Sequence, residues 1–181
     1  MTVDNFFDFI KSDVLRGFVL LAGVIVATIS VLTARIIARR KQTIDALIAG
    51  RTDDKLNEGF SCFAEIHEKD DANLRSFAKK ANWNKPETDK FQFILNHWEY
   101  TAIGIRMGIY DDDMFRIARR SSVLSLYGRA KPFIDALREE TKREMLYIEF
   151  ETMVERWKKV PLRKPPTGFM WWLTYLGYRY R

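Results

Sequence analysis

The hydrophobic pattern is dominated by one long apolar segment, residues 17–34, in which no position carries a charge. A helix rises about 1.5 Å per residue, so this segment spans roughly 27 Å, close to the thickness of bilayer hydrocarbon. Its apolar residues surround the helix instead of forming one face, and its hydroxyl side chains can bond to carbonyls of their own helix. The pattern therefore predicts a transmembrane helix.

The charges on either side of this segment predict its orientation. Before it, three acidic side chains accompany Lys11 and Arg16. After it, four basic residues precede the first acid, Asp45: Arg35, Arg39, Arg40 and Lys41. Because Lys and Arg are retained on the cytoplasmic side, we expect an outside amino terminus and a cytoplasmic body. We also expect these four residues at the membrane interface, where each contributes ~1 kcal/mol of attraction to anionic lipid.

A cleaved signal peptide is the competing interpretation of the apolar segment. Signal peptides begin with basic residues, have a shorter apolar core and end at a small-residue cleavage site. Here the amino terminus is acidic and aromatic, the core is long, and basic residues follow it directly. These differences favour a retained transmembrane helix.

Beyond residue 50 the apolar positions recur at helical spacing, and we find no convincing alternation of the kind that predicts a strand. The strongest pattern steps by 4-3-4-3-4 through Phe91, Leu95, Trp98, Ala102, Ile105 and Ile109. Helices are predicted at 52–67, from Asp70 or Asp71 to 81, at 86–110, at 111–127, and at 132–160, the last either continuous or broken near Thr141. The chain is therefore predicted to be all-α, with one amino-terminal transmembrane helix followed by a bundle of about five helices.

Residues that start and stop helices set the expected boundaries. Gly50 is expected to end the extension of the membrane helix, and Thr52 to cap the next helix. Pro86 suits a first helical turn, and Gly128 is expected to stop a helix so that Pro132 opens the last one. Three consecutive aspartates, 111–113, suggest either a cation site or a helix start, and the macrodipole favours capping.

Charge distribution completes the predicted organisation. The net charge is +6, and residues 156–181 hold seven basic side chains and no acid, so a faintly acidic body lies between two basic ends. The predicted segments are a short extracytoplasmic stretch (1–16), the transmembrane helix (17–34), a basic juxtamembrane helical extension (35–50), a cytoplasmic bundle (51–160) and a basic aromatic tail (161–181).

The densest polar grouping on the predicted central helix consists of Asn96, Glu99 and Arg106. Steps of three and seven residues place them on successive turns of one side of that helix. One interpretation is a buried network that fixes the register of the helices. The other is a ligand-binding pocket in which Arg106 receives an anionic group.

Other chemistry finds little support in the sequence. His67 and His97 lack short metal-ligand spacing, and neither a phosphate-binding loop nor a serine nucleophile motif occurs, so we expect no metal and no cofactor. Cys62 is the single cysteine and falls in an apolar pattern, which indicates a core thiol in a reducing compartment. Gly104 and Gly108 predict the close approach of a neighbouring helix, within the bundle or across a homo-oligomer.

The tail combines basic residues with aromatic rings, among them Trp171, Trp172 and Tyr175. Such rings partition to a bilayer interface, and the tether formed by the transmembrane helix favours that location. Packing of the tail onto the bundle and binding to nucleic acid are the alternatives, of which nucleic acid is the less favoured.

Three segments carry a resemblance to a known family: residues 38–45 (ARRKQTID), 93–116 (FILNHWEYTAIGIRMGIYDDDMFR) and 147–157 (YIEFETMVERW). They resemble a bacterial, membrane-anchored domain of unknown function, DUF number 4760. The resemblance implies one amino-terminal span followed by a helical domain, in the inner membrane of a bacterium. It implies no catalytic residues.

These observations support two functional hypotheses. The first is a single-pass membrane protein whose cytoplasmic helical domain binds a protein partner, another copy of itself or a small ligand, without enzymatic activity. The second is a membrane-tethered nucleotide-sensing or hydrolytic domain centred on Asn96, Glu99 and Arg106.

Overall fold

The computed structural model describes residues 13–68 and 73–160, and within them all regular secondary structure is helical. The five α-helices are α1 (Asp13–Thr52), α2 (Asp54–His67), α3 (Pro86–Arg106), α4 (Asp112–Thr141) and α5 (Ile148–Lys159). Two short 3-10 helices, Leu74–Ala78 and Lys80–Asn82, lie between α2 and α3. The predicted all-α class is confirmed.

Two compact units divide the chain, and α1 contributes to both, because one unit ends at Ala38 and the other begins at Arg39. In the first unit the apolar segment is helical, and its large apolar side chains are at least half exposed on all sides. Thr28 and Ser30 donate their hydroxyls to the carbonyls of Val24 and Val26, each over 2.8 Å. Within the described residues, α1 is the one helix long and apolar enough to cross a membrane.

The core of the second unit is centred on the rings around Phe91. The Phe63 ring stacks on Phe91 with centroids 3.9 Å apart, and Phe133 and Phe77 meet Phe91 edge-on. These side chains come from α2, α3, α4 and the first 3-10 helix, so one aromatic cluster joins four elements. Helix α3 packs against both α2 and α5, in agreement with its predicted central position.

The helix boundary predicted at Gly128 and Pro132 is wrong, because α4 continues through both residues to Thr141. Its buried face keeps helical spacing across the proline: Val123, Leu126, Tyr127, Ala130, Phe133, Ile134 and Leu137. A proline inside a helix removes a hydrogen bond and crowds the carbonyl four residues earlier, here that of Gly128. Burial of the continuous apolar face outweighs that local cost of about 3 kcal/mol.

The helix ends differ from the expected ones by a few residues. Helix α1 continues past Gly50 to Thr52, and Asp53 rather than Thr52 caps α2 by accepting the Leu56 N–H. Asp111 caps α4 by accepting the Met114 N–H over 3.1 Å, so the capping interpretation of the aspartates is confirmed. The predicted helix up to residue 81 consists of short 3-10 turns where the structure describes it.

Within the described bundle, Gly104 and Gly108 do not serve the predicted close approach of a neighbouring helix, and the approach across a homo-oligomer stays a prediction. Helix α3 ends at Arg106 in a Schellman motif, in which Gly108 takes φ +72° and the Ile109 N–H bonds to the Gly104 carbonyl. A Cβ on Gly104 would lie 2.5 Å from the Tyr110 ring. Both glycines therefore serve the turn that follows α3, and Ile109 leaves the predicted apolar face and is half-exposed.

Candidate functional site

Glu99 lies at the amino terminus of α5, where it replaces a missing cap. The N-cap residue of α5 is Tyr147, which has a φ of 60° and makes no side-chain capping bond. Instead, the two carboxylate oxygens of Glu99 accept the N–H of Phe150 over 2.8 Å and that of Glu149 over 3.3 Å. A carboxylate at this position also complements the positive end of the helix dipole.

Arg106 reaches the same helix terminus, whereas Asn96 does not. The Nε atom of Arg106 lies 2.8 Å from a carboxylate oxygen of Glu149, and the arginine side chain is 60% exposed. Asn96 is exposed on α3 and takes no part in these contacts. The structure thus brings two of the three candidate residues together at the start of α5, and their role in ligand binding stays a prediction.

Burial controls the protonation of this terminus. It raises the pKa of Glu99 above the ordinary carboxyl value, although the N–H groups of Phe150 and Glu149 oppose the shift. Burial, and next to it the neighbouring Glu99, raises the pKa of Tyr147 to about 12. Tyr147 therefore stays neutral at physiological pH, and Glu99 is the titratable group of the pair.

A second polar network, which the sequence patterns did not indicate, joins α4 to α5 around Glu151. The Tyr127 hydroxyl donates to one carboxylate oxygen of Glu151, and Arg138 lies 2.8 Å from the other. Burial alone would raise the pKa of Glu151, but the bonds from Tyr127 and Arg138 outweigh it and lower the pKa. Burial and the Glu151 carboxylate raise the pKa of Tyr127. These groups hold two helices in register.

A third polar cluster connects α1 to the start of α4. The fully buried Thr43 donates its hydroxyl to the Arg39 carbonyl over 2.8 Å and accepts the Asp111 N–H over 2.7 Å. A guanidinium nitrogen of Arg39 lies 3.2 Å from the Asp111 carboxylate. The signal in the sequence was a threonine on the otherwise apolar inner face of a helix, one turn after a basic residue.

The basic residues predicted at the membrane interface differ in their surroundings. Arg35 and Lys41 are exposed, and Arg40 is partly buried. Arg39 is engaged with Asp111 and is only 34% exposed, so part of its charge is used within the bundle. The predicted interface residues Trp171, Trp172 and Tyr175 lie outside the described residues.

An open groove of about 860 Å³ lies between α2, the first 3-10 helix and the start of α3. Four carboxylates line it, those of Asp54, Glu58, Glu65 and Glu87. Among the described lining residues one carries an ammonium group, Lys90, which pairs with Glu58 over 3.1 Å. The groove is therefore electronegative.

Within the part of the chain that the structure describes, no group of His, Cys, Asp and Glu is arranged to hold a metal ion.

Comparison with protein families gives one match. The family described as "Domain of unknown function (DUF4760)" matches residues 17–157, which include the apolar segment, the Thr43 cluster and both polar networks at α5. The comparison with curated proteins and the comparison with solved structures found no match.

Proposed function

This chain belongs to the family described as domain of unknown function DUF4760, and we propose that it is a single-pass membrane protein whose cytoplasmic bundle binds a partner. The anchor would hold the bundle at the inner face of a bacterial cell membrane. The bundle would supply a recognition surface there, without catalysing a reaction.

The observation that carries the proposed anchor is the exposure of the apolar segment. Its large side chains are between 50% and 71% exposed, whereas the second unit buries a complete aromatic and aliphatic core of its own. Soluble monomers rarely leave an apolar surface of this extent in water. A bilayer would stabilise such a helix, because lipid would cover its apolar side chains on all sides and the backbone hydrogen bonds are made within the helix.

The charge asymmetry supports the proposed orientation. Arg35, Arg40 and Lys41 follow the apolar segment, and Arg35 and Lys41 are exposed. Retention of these residues in the cytoplasm would place the bundle on the same side, and anionic lipid would attract them.

The electronegative groove supports a partner of opposite charge. The described part of its lining holds four carboxylates and one ammonium group, so a Lys- or Arg-rich segment of another protein would be attracted and an anionic ligand repelled. A nucleotide would be repelled by the same charges. At the alternative site, both carboxylate oxygens of Glu99 already accept backbone N–H groups, so no observation favours the hydrolytic hypothesis.

Extraction and reporter fusions test the anchor. The full chain, expressed in a bacterium, should stay in the membrane pellet after washing with alkaline carbonate. A fluorescent reporter fused after Arg181 should fluoresce, and alkaline phosphatase fused there should be inactive. Release by carbonate would contradict the anchor, and active phosphatase would contradict the orientation.

Comparative capture tests the recognition surface. Glu65 is exposed in the groove, and Glu144 is exposed away from it, so Glu65→Lys and Glu144→Lys make the same charge change at two places. A protein that is captured from solubilised membranes by the wild type and by Glu144→Lys, but lost with Glu65→Lys, would support the groove. Equal capture by all three chains would refute it.

A further inference from the structure

One face of α1 repeats every seven residues over most of the helix length. Its positions, which we call the heptad face, alternate steps of four and three: Gly23, Ala27, Ser30, Ala34, Ile37, Lys41, Ile44 and Ile48. A spacing of 3.5 residues keeps such positions in line along a helix that winds around a parallel partner helix.

In the second unit this face points away from the bundle. Ile44 and Ile48 are 44% and 60% exposed. Thr43 is fully buried, and Ala46 and Leu47 pack against the core. At 100° per residue the centres of the two sets of positions lie about a third of a turn apart on α1. The bundle therefore leaves the Ile44 and Ile48 side chains of the heptad face uncovered.

In the first unit the heptad face is made of small residues and ends in an exposed isoleucine. A Cβ on Gly23 would meet nothing within 4 Å, and Ile37 is 62% exposed. Ser30 donates its hydroxyl to the Val26 carbonyl, so it presents no unsatisfied polar group. Small residues four apart allow helices to approach closely in a membrane, and isoleucines fill a helix interface in water.

The charges beside the heptad face fit a second copy of the same chain. In heptad notation Arg40 is a g position and Asp45 is the e position five residues later. In a parallel pair of identical helices these two positions face each other across the interface, so Arg40 of each copy would meet Asp45 of the other. Lys41 occupies one core position, where a single lysine specifies register at some cost in stability.

We propose that the heptad face is the contact surface of a parallel homodimer formed by α1. The inference rests on the proposed membrane anchor, which inserts every copy in one orientation and confines all copies to two dimensions. Both conditions favour a parallel pair. The partner recognised by α1 is thus another copy of this chain, and each dimer carries two bundles.

Cysteine cross-linking in membranes tests the dimer. In a Cys62→Ala background, Ile37→Cys, Ile44→Cys and Ile48→Cys place a thiol on the heptad face of the full chain. Gln42→Cys and Ala49→Cys are matched controls, because both positions are exposed but lie about 90–110° from the face. Mild oxidation of membrane vesicles should give a product of twice the chain mass with the first three variants and little with the controls.

Any other pattern of cross-linking among the five variants would overturn the proposed dimer. Equal cross-linking at all five positions would indicate random collision, and a product of different mass would assign the face to another occupant. Carbonate washing of the same vesicles separates the two proposals. If the chain is released, the anchor fails; if the chain is retained without cross-linking, only the dimer fails.

Charge reversal provides a second measurement that keeps the isoleucines intact. With Ile44→Cys as the reporter, Asp45→Arg should lower the cross-linked fraction, since it replaces two ion pairs by two repulsions and weakens association roughly three- to tenfold. Arg40→Asp combined with Asp45→Arg should restore it. A fraction unchanged by Asp45→Arg would refute the parallel register.

Discussion

Thr43 is a polar residue without exposed surface, and its hydroxyl serves two elements at once. It bonds to the Arg39 carbonyl and to the Asp111 N–H. Thr43→Val keeps the volume but leaves the Asp111 N–H without its acceptor. We expect the free energy of unfolding to fall by about 1–3 kcal/mol. Denaturation of the full chain in a mild detergent, followed by circular dichroism, measures this loss.

The chain offers a matched control for that measurement. Thr52 is exposed, and its hydroxyl bonds only to carbonyls of α1 itself, those of Ile48 and Ala49. Thr52→Val should change the free energy of unfolding by less than about 0.5 kcal/mol. Equal effects of the two substitutions would show that the buried bond to Asp111 contributes nothing.

The buried His97 makes the folded state less stable as the pH falls. Burial lowers its pKa below the ordinary value of 6.5, and Arg119 lowers it further, against an opposing effect of Asp53. The folded state thus favours neutral imidazole, so this contribution is present above pH 6.5 and is lost as pH falls through the lowered pKa. Between pH 7.5 and 5.5 the melting temperature of the wild type should fall more than that of His97→Gln.

The exposed His67 provides the comparison for this pH profile. His67→Gln makes the same substitution at an exposed position, the end of α2. If His97→Gln followed the wild-type profile, the assigned effect of burial would be wrong.

The start of α5 depends on a side chain from another helix. Glu99→Ala removes both acceptors of the Glu149 and Phe150 N–H groups, and we expect a loss of about 1–3 kcal/mol. Hydrogen exchange should accelerate at these two amides first. Glu99→Gln keeps one oxygen acceptor and should lose less. Unchanged exchange in Glu99→Ala would contradict the capping role.

The unbroken α4 contains a residue whose replacement should raise the free energy of unfolding. Pro132 is exposed within an unbroken helix, so Pro132→Ala restores an N–H group that can bond to the Gly128 carbonyl. We expect a gain of about 1–2 kcal/mol, because the restored helix bond exceeds the unfolded-state entropy that proline removes. A loss of stability on thermal unfolding would indicate that the proline fixes a needed bend.

The orientation of the whole chain should respond to its flanking charges. Replacing Arg35, Arg40 and Lys41 by Gln, and Asp4, Asp8 and Asp13 by Lys, reverses the charge bias but leaves the Arg39–Asp111 pair intact. A fraction of the chains should then insert with the opposite orientation. Alkaline phosphatase fused after Arg181 should gain activity, and unchanged inactivity would show that another feature sets the orientation.

Helical periodicity predicted much of the fold but only part of the candidate site. The apolar spacing of α2, α3 and α5 indicated their buried faces, because a helix of fixed pitch brings such residues to one side. The predicted break at Gly128 failed, since local propensity was outweighed by an apolar face that continues beyond Pro132. Glu99 and Arg106 stood out as polar residues on a central helix, but no pattern along the chain indicated that both meet Glu149.

The amino-acid sequence by itself determined the helical class, the exposed apolar segment and the basic residues behind it, because these depend on composition and on distances along one helix. Only the tertiary structure decided which polar groups meet. Arg39 and Thr43 meet Asp111 across 72 and 68 residues of chain, and Glu99 meets the start of α5 across 50. Such pairings depend on how whole helices pack, and that packing is set by the sum of many buried contacts.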